Sequence, residues 1–167
     1  MEINDISWYN VDLPEVIEAR DKYFPLEKNE TNISGDIIKL DFLDVVKKEN
    51  NIFIFEAILP FFKEDEVIKV LKSLSKESKK AFFIIETCPE EIISMEFNYK
   101  YLKSPKSKII YNWGCNNPDK FADKAGLVHI DSQKISDTLN ERWDFSSYGE
   151  MLETFKNNFR IDLFQSK

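Results

Sequence analysis

Short apolar runs alternate along the chain with longer stretches in which apolar residues recur every three or four positions, a pattern that predicts strands interleaved with helices. Ile6-Ser-Trp-Tyr-Asn-Val11 reads as a strand. Asp12-Leu-Pro14-Glu15 follows with a cap candidate, a proline placed as at a helix start and an acidic first turn, which predicts a helix to about Tyr23. Its apolar positions Leu13, Val16, Ile17 and Tyr23/Phe24 form one face, interrupted by Arg20 and expected to pack on a sheet, while Glu18 precedes Lys22 by four residues on the wet side. Asn32–Ser34 reads as a brief second strand, followed by Gly35-Asp36 and a helical or irregular segment around Leu40–Val46.

Ile52-Phe-Ile-Phe55 is a continuous apolar run, expected of a strand buried on both faces of a parallel sheet, and it ends on Glu56. Glu64-Asp65-Glu66 places carboxylates at the positive end of the next helix, whose apolar stripe is Val67, Val70, Leu71 and Leu74. Ala81-Phe-Phe-Ile-Ile85 is a further buried strand and ends on Glu86. Lys108–Trp113 is a strand candidate, Asn117-Pro118-Asp119 opens a helix that Gly126 closes, and Leu127–Ile130 and Phe159–Phe164 read as final strands. Trp143–Phe145 and an amphipathic run from about Tyr148 to Asn157 lie between those two. The alternation predicts an α/β fold with a mostly parallel sheet, with no internal repeat, low-complexity tract or linker.

Composition narrows the classes. A chain of 167 residues that is 43% hydrophobic can bury one good core and reads as a single unit. A formal net charge of -7 disfavours nucleic acid or an anionic membrane as a partner. No run approaches the roughly 20 apolar residues of a membrane helix, and Met-Glu-Ile-Asn-Asp lacks the features of a signal peptide, so the expected location is cytoplasmic. Cys88 and Cys115 are not spaced for zinc and are expected to be ordinary thiols; no metal site is expected. Asn29-Glu-Thr31 and Asn32-Ile-Ser34 match the glycosylation acceptor pattern, which has no meaning without secretion.

Three segments carry a family signature in order: Tyr9-Asn-Val-Asp12-Leu-Pro14-Glu15-Val16-Ile17-Glu18-Ala19-Arg20, then Ile33-Ser-Gly-Asp36-Ile37, then Phe55-Glu56-Ala57-Ile58-Leu59-Pro60-Phe61-Phe62. They resemble the leucine carboxyl methyltransferase and polyketide O-methyltransferase family. The first looks like that family's second strand with its D-x-P-x-V-I-x-x-R continuation, and the third like its E-G-x-L-x-Y-L motif. Asn112-Trp113-Gly114, the Asn-Pro-Asp helix start and Gly126-Leu-Val128 are also similar to the family's last third. Ala57 stands where the family has glycine and Phe61 where it has tyrosine. The resemblance implies a Rossmann-like class I methyltransferase sheet, S-adenosylmethionine as cofactor, and methyl transfer to a carboxylate or hydroxyl of a small molecule or protein terminus.

The cofactor-binding candidates are Asp12, Leu13, Asp36, Ile37, Glu56 and Ala57. An acidic side chain at the carboxyl end of a strand can accept both ribose hydroxyls of a nucleoside, which suits Asp12; the alternative is a helix cap. Asp36, or the Ile37 amide, could meet the adenine edge, or Asp36 could simply form an Asx turn. Glu56 emerges where ligands of such sheets bind, or ends its strand as a salt bridge. His129, the only histidine, sits in an apolar run and reads as structural rather than as a general base. No catalytic residue is assigned, because methyl transfer is an in-line displacement that positioning and desolvation can drive.

The cofactor's methionine end must approach a glycine-rich backbone turn. Only Gly35, Gly114, Gly126 and Gly149 exist, none with G-x-G spacing between strand and helix, so the first βα unit is expected to be missing. By the resemblance, that unit supplies the central strand, between those ending at Asp12 and Glu56. Residues 1–167 then form a single incomplete methyltransferase domain. Either the two exposed edges pair directly, or a complementary N-terminal polypeptide or a homodimer fills the gap. The competing classes are a non-catalytic remnant serving as an interaction module and, less well matched, a nicotinamide dehydrogenase fragment.

Overall fold

The computed structural model describes residues 6–46, 49–93, 110–135, 137 and 159–167. The segments 143–145 and 148–157 lie outside them, as does part of the strand expected at 108–113. The chain divides into two compact units, Met1–Lys48 and Glu49–Lys167.

In the first unit, β1 (Trp8–Asp12) and β2 (Glu30–Ser34) pair in parallel through α1 (Pro14–Tyr23), with Trp8 opposite Glu30 and Asp12 opposite Ser34. The ladder starts two residues later than the Ile6 expected and takes in Asp12, whose carbonyl accepts the Gly35 amide at 2.9 Å. Helix α1 has its predicted span, but its packing needs correction. Only Ile17 is buried, while Leu13, Val16, Tyr23 and Phe24 are exposed. The cause is a polar lattice on the β1–β2 pair: Arg20 donates to Glu30 and Asn32, and Asn10 donates to the same two residues. A two-stranded ladder occupied by these groups offers little apolar surface for a helix stripe to cover. Residues 40–46 form successive turns, with Leu40 at a φ of 56°.

Among the described residues the second unit has a four-stranded sheet in the order β3–β4–β6–β5: β3 (Asn50–Phe55), β4 (Lys80–Thr87), β5 (Leu127–Lys134) and β6 (Arg160–Ser166). β3 and β4 are parallel, and β6 is antiparallel to both β4 and β5. Three strands therefore run one way, with β6 reversed between two of them.

Cross-strand partners share a face, so Phe53, Phe83 and Phe164 lie on one side of the sheet and Ile52, Phe82 and Gln165 on the other. The first side is the core. Phe53 stacks on Phe83 at 5.4 Å, and Phe83 and Phe164 are fully buried. Helix α2 (Glu64–Glu77) buries Val67, Val70, Leu71 and Leu74, the stripe its sequence period predicts, worth roughly 1.5–3 kcal/mol per side chain. Its start is fixed by Glu66, whose carboxylate accepts the Lys63 amide at 2.9 Å. Helix α3 (Pro118–Ala125) is capped by Asn117, which accepts the Lys120 amide at 2.9 Å, and closed by Gly126 at a φ of 71°. Its Phe121 meets Phe164 edge-on.

Two further expectations are corrected. β3 is not buried on both faces: as an edge strand among the described residues, it leaves Ile52 65% and Ile54 51% exposed. Residues 110–113 form no strand, because the Asn112 and Trp113 amides donate to the Pro60 carbonyl instead of to a ladder.

Candidate functional site

The carboxyl ends of β1 and β2 bring four candidate residues to one edge of the first unit. Asp12 ends β1, and Gly35-Asp36 follows β2 directly beside it, tied by the Gly35 amide on the Asp12 carbonyl. The helix cap position falls on Leu13, which makes no side-chain cap bond. Among the described residues the Asp12 carboxylate accepts only the adjoining Leu13 amide, at 2.8 Å, and it is exposed, so its geometry is not that of a helix cap. Asp36 does form the Asx-type turn. It accepts the Ile38 amide at 2.8 Å and pairs with Lys39 at 3.3 Å, and these contacts, the Ile38 bond foremost, hold its carboxyl below the usual range. Its own amide donates to Asp41.

The second cluster lies at the carboxyl ends of β3 and β4. Phe55 is opposite Ile85, so Glu56 and Glu86 are neighbours at adjacent strand ends. Ala57 turns the chain at a φ of 51°, in the left-handed region where glycine is favoured. Its amide donates to Glu86 Oε2 at 3.1 Å. Burial pushes the Glu86 carboxyl up; the Ala57 amide opposes this, and the Glu56 charge adds to it. Among the described residues Glu56 makes no ion pair and is exposed.

Behind this edge lies a buried carboxylate that sequence reasoning passed over. Asp162, fully buried on β6, accepts Thr87 Oγ1 at 2.6 Å, Ser132 Oγ at 2.5 Å, and Arg160 Nε and Nη2 at 3.2 Å each. Arg160 also donates to the Cys115 carbonyl at 2.6 Å. The only available signal was the alternation Arg160-Ile-Asp162, with two ionisable groups facing one side of a strand. Burial pushes the Cys88 thiol to about 12 and the Cys115 thiol to about 11, so neither is a nucleophile near neutrality. His129 is held between Asp119 Oδ1 at 2.9 Å and Ser132 Oγ at 2.9 Å, with its ring against Phe164, and ties α3 to β5.

The described glycines are committed to local packing. A Cβ on Gly35 would lie 3.0 Å from the Phe42 Cβ, one on Gly114 would lie 2.8 Å from the Pro89 carbonyl, and Gly126 closes α3. None is placed as a phosphate or amino-acid cradle at a strand-to-helix turn.

No family model matches the chain, and no curated protein matches it in sequence. Solved structures do. The PH0226 protein from Pyrococcus horikoshii OT3 superposes with a TM-score of 0.60 at 19% identity, over 98% of this chain and 73% of that one. Magnesium protoporphyrin IX methyltransferase from Synechocystis PCC 6803, solved with SAH bound, gives 0.52 at 12% identity, over 95% and 64%. A pericyclic reaction enzyme gives 0.53 at 11%, over 95% and 36%, so the chain spans little more than a third of that protein's length. The fold is that of the class I methyltransferases.

In a class I methyltransferase sheet, as in other open α/β sheets, ligands bind outside the carboxyl ends of the parallel strands. Asp12, Leu13, Asp36 and Ile37 occupy that edge of the first unit. Glu56, Ala57 and the unanticipated Glu86 occupy it in the second. Glu86 was within reach of sequence reasoning, since both apolar runs end on glutamate, but placing the two side by side requires the strand register.

Proposed function

We propose that this chain contributes the nucleoside-binding portion of an S-adenosylmethionine-dependent O-methyltransferase of the leucine carboxyl methyltransferase type. The observation that carries the proposal is Asp12: an exposed carboxylate at the carboxyl end of a parallel strand, outside the helix cap position, whose two oxygens suit two ribose hydroxyls. Asp36 spends its carboxylate on the Ile38 amide and Lys39, which leaves Ile37 as the contact for the adenine edge. The cofactor supplies an activated methyl group; the chain's residues orient it toward a carboxylate or hydroxyl acceptor on a small molecule or protein terminus.

Isothermal titration with S-adenosylhomocysteine tests this. Binding that weakens roughly tenfold in Asp12→Ala, about 1.4 kcal/mol, is the expected result. Binding indifferent to Asp12 would remove the proposal's basis.

One observation favours a second reading, a non-catalytic module that pairs with another polypeptide. No glycine cradle for the cofactor's methionine end exists among the described residues. Under that reading the titration yields no heat, with or without a partner.

A further inference from the structure

Helix α2 uses its two sides in opposite ways. Val67, Val70, Leu71 and Leu74 are buried in the core. Lys69, Lys72 and Lys76, three and four residues apart, line the opposite side and are all exposed. Among the described residues none of the three forms an ion pair. The carboxylates at the start of the helix are engaged elsewhere: Glu64 pairs with Lys124 on α3 at 2.8 Å, and Glu66 accepts the Lys63 amide. Asp65, one turn before Lys69, is in no ion pair among the described residues. A solvated helix face is ordinarily stabilised by opposite charges about one turn apart, whereas Lys72 meets a like charge in both directions, at Lys69 and at Lys76. The helix dipole accounts for Lys76, in the last turn, and not for Lys69 or Lys72. In a chain with 30 acidic and 23 basic residues, these three lysines form a local ridge of positive charge.

We propose that the Lys69–Lys72–Lys76 ridge docks an acidic helix of another protein, one that presents carboxylates three and four residues apart along a single face. The spacing sets the partner's shape. From Lys69 to Lys76 the ridge runs roughly 10 Å along the axis, about two turns, and a second helix matches it with Glu or Asp at the same period. Docking gives up no ion pair within the described residues, because the three ammonium groups have none to lose. Two other polyanions fit less well. A bilayer holds a surface helix through apolar side chains exposed beside its lysines, and α2 exposes no large apolar residue. A nucleic acid spreads its charge over many phosphates, and the net charge of -7 repels it beyond the ridge. A second copy of this chain fits poorly too: α1 carries Glu15 and Glu18, but Lys22 completes that row. The ridge lies on the side of α2 away from the core, so docking and cofactor binding are separate properties.

The test is fluorescence anisotropy of the full chain at low salt with a labelled alanine-based helical peptide whose glutamates fall three and four residues apart on one face. Expected are one-to-one binding and a roughly tenfold loss in the triple variant Lys69→Gln/Lys72→Gln/Lys76→Gln. Lys→Arg at the same three positions should retain binding. The control Lys22→Gln/Lys28→Gln/Lys134→Gln, which removes as much charge from exposed lysines elsewhere, should bind like the parent. A peptide of the same composition with its glutamates spread around the helix should bind several-fold more weakly. Absence of binding, equal losses in the two Gln triple variants, or equal binding of the two peptides would each overturn the proposal. So would tighter binding to phosphatidylserine vesicles or duplex DNA, or self-association of the chain that the ridge variant abolishes.

Discussion

The amide of Ala57 donates to Glu86 Oε2 at 3.1 Å, so the end of β4 holds the turn that ends β3. Glu86 is half-buried beside the Glu56 carboxylate, and burial above all pushes its carboxyl up from 4.5. A raised folded-state value means that the folded protein holds the proton more tightly than the unfolded chain. The associated stability is present below pH 4.5 and is lost as pH rises through the raised value. Glu86→Gln cannot ionise and still offers an acceptor to Ala57. Urea midpoints should therefore rise for the variant relative to the parent as pH increases from about 4.5 to neutral. A difference independent of pH would show that ionisation of Glu86 carries no cost.

Ala57 itself adopts a φ of 51°. The left-handed region costs a non-glycine residue about 1–2 kcal/mol, and glycine costs about 0.5–1 kcal/mol in unfolded-state entropy. Ala57→Gly should therefore be neutral to about 1 kcal/mol stabilising, while Ala57→Val, β-branched at the same φ, should lose at least about 1 kcal/mol. Equal losses from both variants in urea unfolding would mean that the turn is not the constraint.

What could be read from the sequence divides along physical lines. The α2 stripe of Val67, Val70, Leu71 and Leu74 was legible because a 3.6-residue period needs only the chain itself, and the α3 boundaries were legible because Asn117 and Gly126 act locally. Asp12 was legible as a strand end. The burial of α1 and β3 was not, because burial depends on what lies opposite: polar Arg20, Glu30 and Asn32 displace the expected apolar contact on α1, and β3 meets a ladder on one side alone among the described residues. Glu86 and Asp162 depend on register, which joins residues about 30 and 75 positions apart in contacts that no local pattern encodes.

Glu30 makes the first unit acid-sensitive. The Glu27 amide, the Asn10 side chain and Arg20, in that order, hold its carboxyl down from 4.5 to about 2. With the folded value depressed, the stabilisation is complete above pH 4.5 and drains away as pH falls toward about 2. The indole of Trp8 donates to Asn10 Oδ1 at 2.8 Å and so reports on this lattice. In Glu30→Gln its NMR resonance should titrate far less over that window than in the parent; identical titration in both would exclude Glu30 as the origin.

Asp162 tests whether the sheet interior depends on its polar hub. The carboxylate accepts two hydroxyls and a guanidinium at complete burial, and Arg160 keeps only 17% of its side chain exposed. Truncation in Asp162→Ala removes the acceptor of the Thr87 hydroxyl, of Arg160 Nε and of the Ser132 hydroxyl, leaving the guanidinium the Cys115 carbonyl and Ser132 the His129 ring, and breaking a buried pair from one side typically costs about 3–5 kcal/mol. Arg160→Met alone should cost less, because Asp162 keeps both hydroxyl donors and Cys115 loses only one bond. In the double variant the guanidinium left without its carboxylate is gone, so the loss should fall short of the sum of the two single losses by about 1 kcal/mol or more. Urea unfolding of the parent and three variants completes the cycle. Strict additivity would mean that Asp162 and Arg160 stabilise the sheet independently, and the hub would reduce to a set of separate hydrogen bonds.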